Sequence, residues 1–282
     1  DIHELEPGHC GTFDRNGLRT FSYWKLKDRL HTETFEETSD HVRYLVTDAI
    51  RRQLVSDVPL GTFLSGGLDS SIISAVAASH FRSLGHQLDT FSVTYTDNQK
   101  YFKTSKFQPT TDEPYIQMMA EFLGSNHHTF VVDNEQLALA LKAAVDARDL
   151  PGMADVDSSL LLFCEEIKKH VTVALSGECA DEIFGGYPWY RDEKIRSAYG
   201  FPWAQTTAMR QKFLTPHLRK LIDGEAEVSA RYEQALAETD KSEGLSPKES
   251  RLREMVHLNM YWFMQTLLTR KDRMSMYHGL EV

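Results

Sequence analysis

Leu60-Gly61-Thr62-Phe63-Leu64 runs directly into Ser65-Gly66-Gly67-Leu68-Asp69-Ser70-Ser71, and this junction decides the fold. The first five residues form a short apolar run, the signature of a buried strand. Ser65, Gly66 and Gly67 make a turn, and residues 71–84 follow with a helix-like pattern. Two adjacent glycines let the backbone approach a ligand closely. The hydroxyls of Ser65, Ser70 and Ser71 and the free amides at the helix start can cradle an anion. The loop is not the mononucleotide pattern G-x-x-x-x-G-K-[ST], because the lysine is absent and the spacing differs. In its place stands a carboxylate, Asp69. Beside phosphates a carboxylate is repelled unless a divalent cation bridges the two, so the pattern implies Mg2+. The competing structural reading is a glycine-rich turn, with Asp69 favoured in the first turn by the helix dipole.

Outward from this junction, strands and helices alternate. Residues 36–54 carry apolar side chains at helical spacing. Thr90-Phe91-Ser92-Val93-Thr94-Tyr95 reads as a second strand, His128-Thr129-Phe130-Val131-Val132 as a third and Val171-Thr172-Val173-Ala174-Leu175 as a fourth. Helices are expected over 113–123, 135–147 and 158–169. Residues 96–112 form a long polar loop of the kind that serves function or motion. The alternation predicts an α/β, doubly wound, mainly parallel sheet with helices on both faces. After about residue 190 the strand signal fades, and 204–222, 229–238 and 248–277 read as helices. Residues 1–25 read instead as short strands joined by turns, the end of a preceding β-rich domain. The expected organisation is therefore 1–25, 26–195 and a helical part, 196–282.

Composition narrows the classes. With 31 Lys and Arg against 41 Asp and Glu among 282 residues, the net charge of −10 argues against broad contact with nucleic acid. No apolar run is long enough to span a membrane. The start, Asp1-Ile2-His3-Glu4, has neither a signal-peptide pattern nor an initiator methionine, as expected of a piece of a longer protein. Cys10, Cys164 and Cys179 match neither a disulfide framework nor a zinc site, which predicts a reducing, cytoplasmic setting.

The Ser65–Ser71 string resembles the loop of the ATP-pyrophosphatase (PP-loop) superfamily, the adenine-nucleotide α-hydrolase-like fold. Its members form adenylates and release pyrophosphate. A second segment chooses among them. Ser176-Gly177-Glu178-Cys179-Ala180-Asp181-Glu182-Ile183-Phe184-Gly185-Gly186-Tyr187 is similar to the S-G-E-G-x-D-E-x-F-G-G-Y signature of glutamine-hydrolysing asparagine synthetases. Ser56-Asp57-Val58-Pro59-Leu60-Gly61, Arg270-Lys271-Asp272-Arg273-Met274-Ser275-Met276 and Gly279-Leu280-Glu281-Val282 extend the likeness, and residues 1–24 resemble the end of that family's glutaminase domain.

The resemblance implies ATP and Mg2+ as cofactors, with Asp69 and Asp181 holding the metal. It implies nucleotide contacts from Phe63, Leu64, Ser65, Gly66, Gly67, Asp69, Ser70, Ser71, Val93, Ser176 and Gly177. Glu178 matches the glutamate linked to forming the adenylate and handling the ammonia proton. Arg270 and Arg273, with Lys271, would neutralise pyrophosphate or else form a solvated helix turn. The implied reaction is adenylation of the aspartate side-chain carboxylate, then amidation by ammonia from the glutaminase domain, with AMP and pyrophosphate released. A homodimer is left open.

Two departures stand out. Cys179 occupies a position where the family has glycine. In Pro151-Gly152-Met153-Ala154-Asp155-Val156-Asp157-Ser158-Ser159 no arginine stands where relatives carry T-T-x-R-A-S; the matching position is Asp155. Either aspartate is recognised by other residues, the favoured reading, or the acceptor differs, as in a β-lactam-forming synthetase. A nucleotide-binding module without turnover is the third reading. The family pattern also continues past Val282, so this piece alone is expected to bind nucleotide, with adenylation weak or absent.

Overall fold

The computed structural model describes residues 4–105, 109–150, 152–240 and 243–282, without the side chains of Ala154 and Asp155. Expectations resting on Ile2, His3, Pro151 and the Asp155 side chain lie outside the described residues. The chain divides into two compact units, Asp1–Thr32 with Cys179–Gln265 and Glu33–Glu178 with Thr266–Val282.

In the first unit, β1 (His9–Asp14) and β2 (Gly17–Ser22) form an antiparallel hairpin. Gly17, at φ +103°, supplies the left-handed backbone its turn requires. In the second unit, α1 (Phe35–Gln53) starts on a reciprocal cap between Thr34 and Glu37. Then come β3 (Leu60–Phe63), α2 (Leu68–Ser83), β4 (Asp89–Tyr95), the short α3 (Asn98–Tyr101), α4 (Glu113–Leu123), β5 (Asn126–Val132), α5 (Asn134–Arg148), α6 (Ala154–Lys168) and β6 (Val173–Leu175).

The four strands β3 to β6 form one parallel sheet in the order β5-β4-β3-β6. The pleat sends alternate side chains to two cores. Phe91 and Ala174 join Phe163, Cys164 and Ile167 of α6 on one face. Leu60 and Leu88 join Ala77 and Ala78 of α2 and Leu123 of α4 on the other. Helices therefore cover both faces of a doubly wound α/β sheet. Gly61 is needed where it stands, because a Cβ there would lie 2.5 Å from Phe91 Cε2 and 2.9 Å from the Asp89 carbonyl oxygen. At the chain's end Glu281 pairs parallel to Val173, and Leu280 is fully buried.

The remainder of the first unit is helical: α7 (Ala180–Phe184), α8 (Glu193–Ser197), α9 (Thr207–Gln211), α10 (Pro216–Leu221), α11 (Gly224–Glu238) and α12 (Pro247–Leu258). Phe201, Tyr232, Ala235 and Leu258 form its core. The single helix expected over 204–222 is two, α9 and α10. Proline lacks the amide a continuing helix needs, so Pro216 starts a new helix, capped by the Thr215 hydroxyl. The helix expected over 248–277 contains a π-turn, Asn259–Phe263, between α12 and α13 (Met264–Met276).

Candidate active site

The strand order creates a switch point. From β3 the chain steps outward to β4 and β5, then returns to place β6 on the other side of β3. The loops leaving β3 and β6 therefore diverge and open a crevice between them, where open parallel sheets take their ligands. Residues 65–67 leave β3 and Ser176-Gly177-Glu178 leave β6.

The first loop is tightly determined. Gly66 has φ +76°, and a Cβ on it would lie 2.7 Å from Tyr115 Cβ. The Ser65 and Ser70 hydroxyls lie 3.0 Å apart, the Ser65 amide donates to Ser70 Oγ at 3.2 Å, and Ser70 Oγ donates to the Gly67 carbonyl at 3.1 Å. Those hydroxyls close the loop on itself. Gly67 caps α2 without any side-chain hydrogen bond, leaving first-turn amides for an incoming anion. The second loop touches the first: a Cβ on Gly177 would lie 3.1 Å from Asp69 Cβ and 3.2 Å from the Ser70 amide nitrogen. A side chain at 177 would press the two strand-end loops apart by a few tenths of an ångström.

Asp69 stands half-buried at this contact, and its burial raises the carboxyl's proton affinity. A carboxylate short of compensating charge, beside free helix amides, suits a cation that arrives with phosphate. Mg2+ is held by one or two carboxylates with phosphate oxygens and water rather than by an all-protein cage. Among the described residues no group of three or more His, Cys, Asp or Glu side chains converges. The donors on hand fit the magnesium nucleotide rather than a bare metal.

Glu178 ends the first of the two stretches, Glu33–Glu178 and Thr266–Val282, that make up the sheet unit. Its carboxylate pairs with the Lys271 ammonium of α13, which also donates to Ser176 Oγ at 2.9 Å and lies 5.4 Å from the centre of the Phe63 ring. Lys271 is 8% exposed. Its neighbours differ: Arg273 pairs with Asp149 at 3.2 Å on the surface, and Arg270 has a buried Nε with no hydrogen-bond partner. Phe63, Leu64 and Val93 line the same strand ends, with Leu64 almost fully buried and the Leu64 amide bonded to the Phe91 carbonyl at 2.8 Å. Ser71 lies in the first turn of α2, its amide bonded to the Gly67 carbonyl at 3.1 Å.

Asp181 lies in the other unit, on α7, and its Oδ1 occupies the space a Cβ on Gly186 would need. In the same unit, Glu182 is buried and accepts from the Tyr187 hydroxyl at 2.6 Å.

A buried charge pair joins α5 and α6. Arg148 Nη1 and Asp157 Oδ2 lie 3.7 Å apart, and a Cβ on Gly152 would fall 2.2 Å from that Asp157 oxygen. Ser159 Oγ lies 2.6 Å from the Tyr95 hydroxyl at the ligand end of β4.

The sequence profile of the asparagine synthase family matches residues 41–282. The chain belongs to this family. Asparagine synthetase [glutamine-hydrolyzing] 3 of Bacillus subtilis is 50% identical over all 282 residues, which cover 46% of that relative. Asparagine synthetase [glutamine-hydrolyzing] 1 of the same organism is 36% identical over 68% of this chain and 28% of its own length. A putative asparagine synthetase [glutamine-hydrolyzing] 2 of Methanocaldococcus jannaschii is 33% identical over 62% of this chain and 31% of its own. The chain thus spans less than half the length of these asparagine synthase relatives. Among the described residues no helix is long and apolar enough to cross a membrane.

Of the basic cluster Arg270, Lys271 and Arg273 expected from the sequence, Lys271 is the one whose ammonium meets Glu178. The signal was present: Leu267, Lys271 and Met274 recur at i, i+4 and i+7, and that stripe is the buried face of α13.

Proposed function

We propose that this chain is the synthetase part of a glutamine-dependent asparagine synthetase, using ATP to activate the side-chain carboxylate of aspartate and amidating it with ammonia. The single observation that supports this most is the contact of the Gly177 loop with Asp69 and Ser70 at the switch point. There an acid that handles protons and an anion-binding helix start come from neighbouring strands.

In the first step the aspartate carboxylate attacks the α-phosphorus of ATP. An O–P bond forms to give an acyl-adenylate, the bond to the bridging oxygen breaks, and pyrophosphate leaves. Residues 66–70 bind the phosphates through backbone amides, and Asp69 would hold Mg2+, with Asp181 the further ligand that the resemblance implies. Bound Mg2+ neutralises charge on the phosphates. Arg270, with its unpartnered Nε, is the cation proposed to receive pyrophosphate. In the second step ammonia attacks the acyl carbon, the C–N bond forms, the acyl C–O bond breaks, and AMP departs. Glu178 takes the proton the nitrogen loses. In the complete protein ammonia would come from a glutaminase domain, of which residues 1–25 are read as the tail.

Aspartate-dependent exchange of pyrophosphate into ATP, on this chain and on one of its relatives' length, tests the reading. Exchange in the longer chain supports it. Exchange driven by another amino acid and not by aspartate would favour the alternative acceptor, which the missing arginine at position 155 motivates. No exchange with any amino acid would overturn it.

A further inference from the structure

We infer that Lys271 is the positioning residue of Glu178: it holds that carboxylate for the ammonia step rather than binding substrate phosphate. The inference rests on the functional reading above and adds a division of labour among the three cations of α13.

An ammonium has three N–H donors. On Lys271 one goes to Ser176 Oγ at 2.9 Å and another meets the Glu178 carboxylate. The Phe63 ring, centred 5.4 Å away, lies within range of a cation–π contact. The side chain is about nine-tenths buried, against one-fifth exposure for its Glu178 partner. An ammonium so occupied has little left for a phosphate, and moving it would strand Glu178 as an unpaired, largely buried charge. Arg270 differs, because its buried Nε has no hydrogen-bond partner. The cage is also rigid: Ser176 follows β6, Phe63 ends β3, and Lys271 lies on a helix face pinned by Leu267 and Met274, both buried. Glu178 is thereby held beside the Gly177–Asp69 contact, where the acyl carbon must lie for its proton transfer. A displaced base costs rate in the step that uses it, roughly ten- to a hundredfold for a shift near an ångström.

The experiment separates the two half-reactions in a chain of the relatives' length supplied with ammonium. Pyrophosphate exchange reports adenylation, and asparagine formed per AMP released reports the ammonia step. Lys271→Met should leave the KM for pyrophosphate within about threefold while asparagine formed per AMP falls roughly tenfold or more. AMP should then be released without product. Lys271→Arg should restore most of the loss. Ser176→Ala, which frees the ammonium without leaving a charge unpaired, should lower asparagine formed per AMP in weaker form and covers the case in which Lys271→Met does not fold. A raised KM for pyrophosphate, or unchanged product ratios in Ser176→Ala and Lys271→Met, would overturn the inference while leaving the functional reading standing. Absence of exchange in the unsubstituted chain overturns both.

Discussion

Replacing Gly66 with alanine attacks the nucleotide loop where it is most tightly held. Two costs add. At φ +76° an L-residue is strained by about 1–2 kcal/mol. The new Cβ would also lie 2.7 Å from Tyr115 Cβ, 3.0 Å from the Ile116 amide nitrogen and 3.2 Å from the Asp112 carbonyl oxygen. None of these is the free end of a flexible side chain, so relief requires backbone movement, for which overpacked sites lose about 1–3 kcal/mol. The sum is about 2–5 kcal/mol, appearing as lost stability or as a loop displaced from α4. Gly85→Ala is the matched control, with φ +77° and nothing within 4 Å of its Cβ, so it carries the conformational cost alone. Urea unfolding and calorimetric titration with Mg-ATP of both variants give the comparison. Gly66→Ala should weaken nucleotide binding at least tenfold, about 1.4 kcal/mol, while Gly85→Ala binds normally. Equal affinity in the two variants would refute the assignment of residues 65–71 to the nucleotide.

Three further outcomes are expected. Because burial raises the Asp69 carboxyl, its ionised form weakens the ligand-free fold above that raised pKa, and the penalty vanishes below the ordinary aspartate range; Asp69→Asn should therefore unfold at a higher temperature at pH 7, converge with the parent as pH falls through that range, and lose Mg-ATP binding. Stability equal to the parent at pH 7 would show that the burial is not felt. Breaking the buried Arg148–Asp157 pair by Arg148→Met should cost about 3–5 kcal/mol in urea unfolding, with most of it recovered in the double variant Arg148→Met/Asp157→Leu; additive losses would contradict the pairing. Burial pushes the Cys164 thiol up to about 12, so at pH 8 a thiol reagent read by mass spectrometry should label exposed Cys10 in the folded chain and reach Cys164 only on unfolding.

The strands and both loops were legible because each strand is a short apolar run stopped by turn residues, as at Phe63-Leu64-Ser65-Gly66 and Leu175-Ser176-Gly177. The pairing of β3 with β6 was not, since nothing local to Leu60 or Val173 encodes which strand lies beside which. That pairing depends on the whole set of crossovers. The closing roles of Ser65 and Ser70 were hidden for a related reason: a serine in a loop reads equally as an anion donor and as a brace. The Pro216 break was written plainly in the residue type but was overruled by the surrounding apolar spacing. At Cys179 the chain adopts φ +79°, a left-handed conformation that favours glycine and that a lone sequence does not disclose.

Hydrogen–deuterium exchange of this chain with and without Mg-ATP tests most directly whether the β3 and β6 loops form the nucleotide site. Amides within residues 64–71 and 175–178 should slow together when the nucleotide binds and remain unchanged in Asp69→Asn. Binding that leaves both loops exchanging at their free rates, or that protects only the helical unit, would contradict the account.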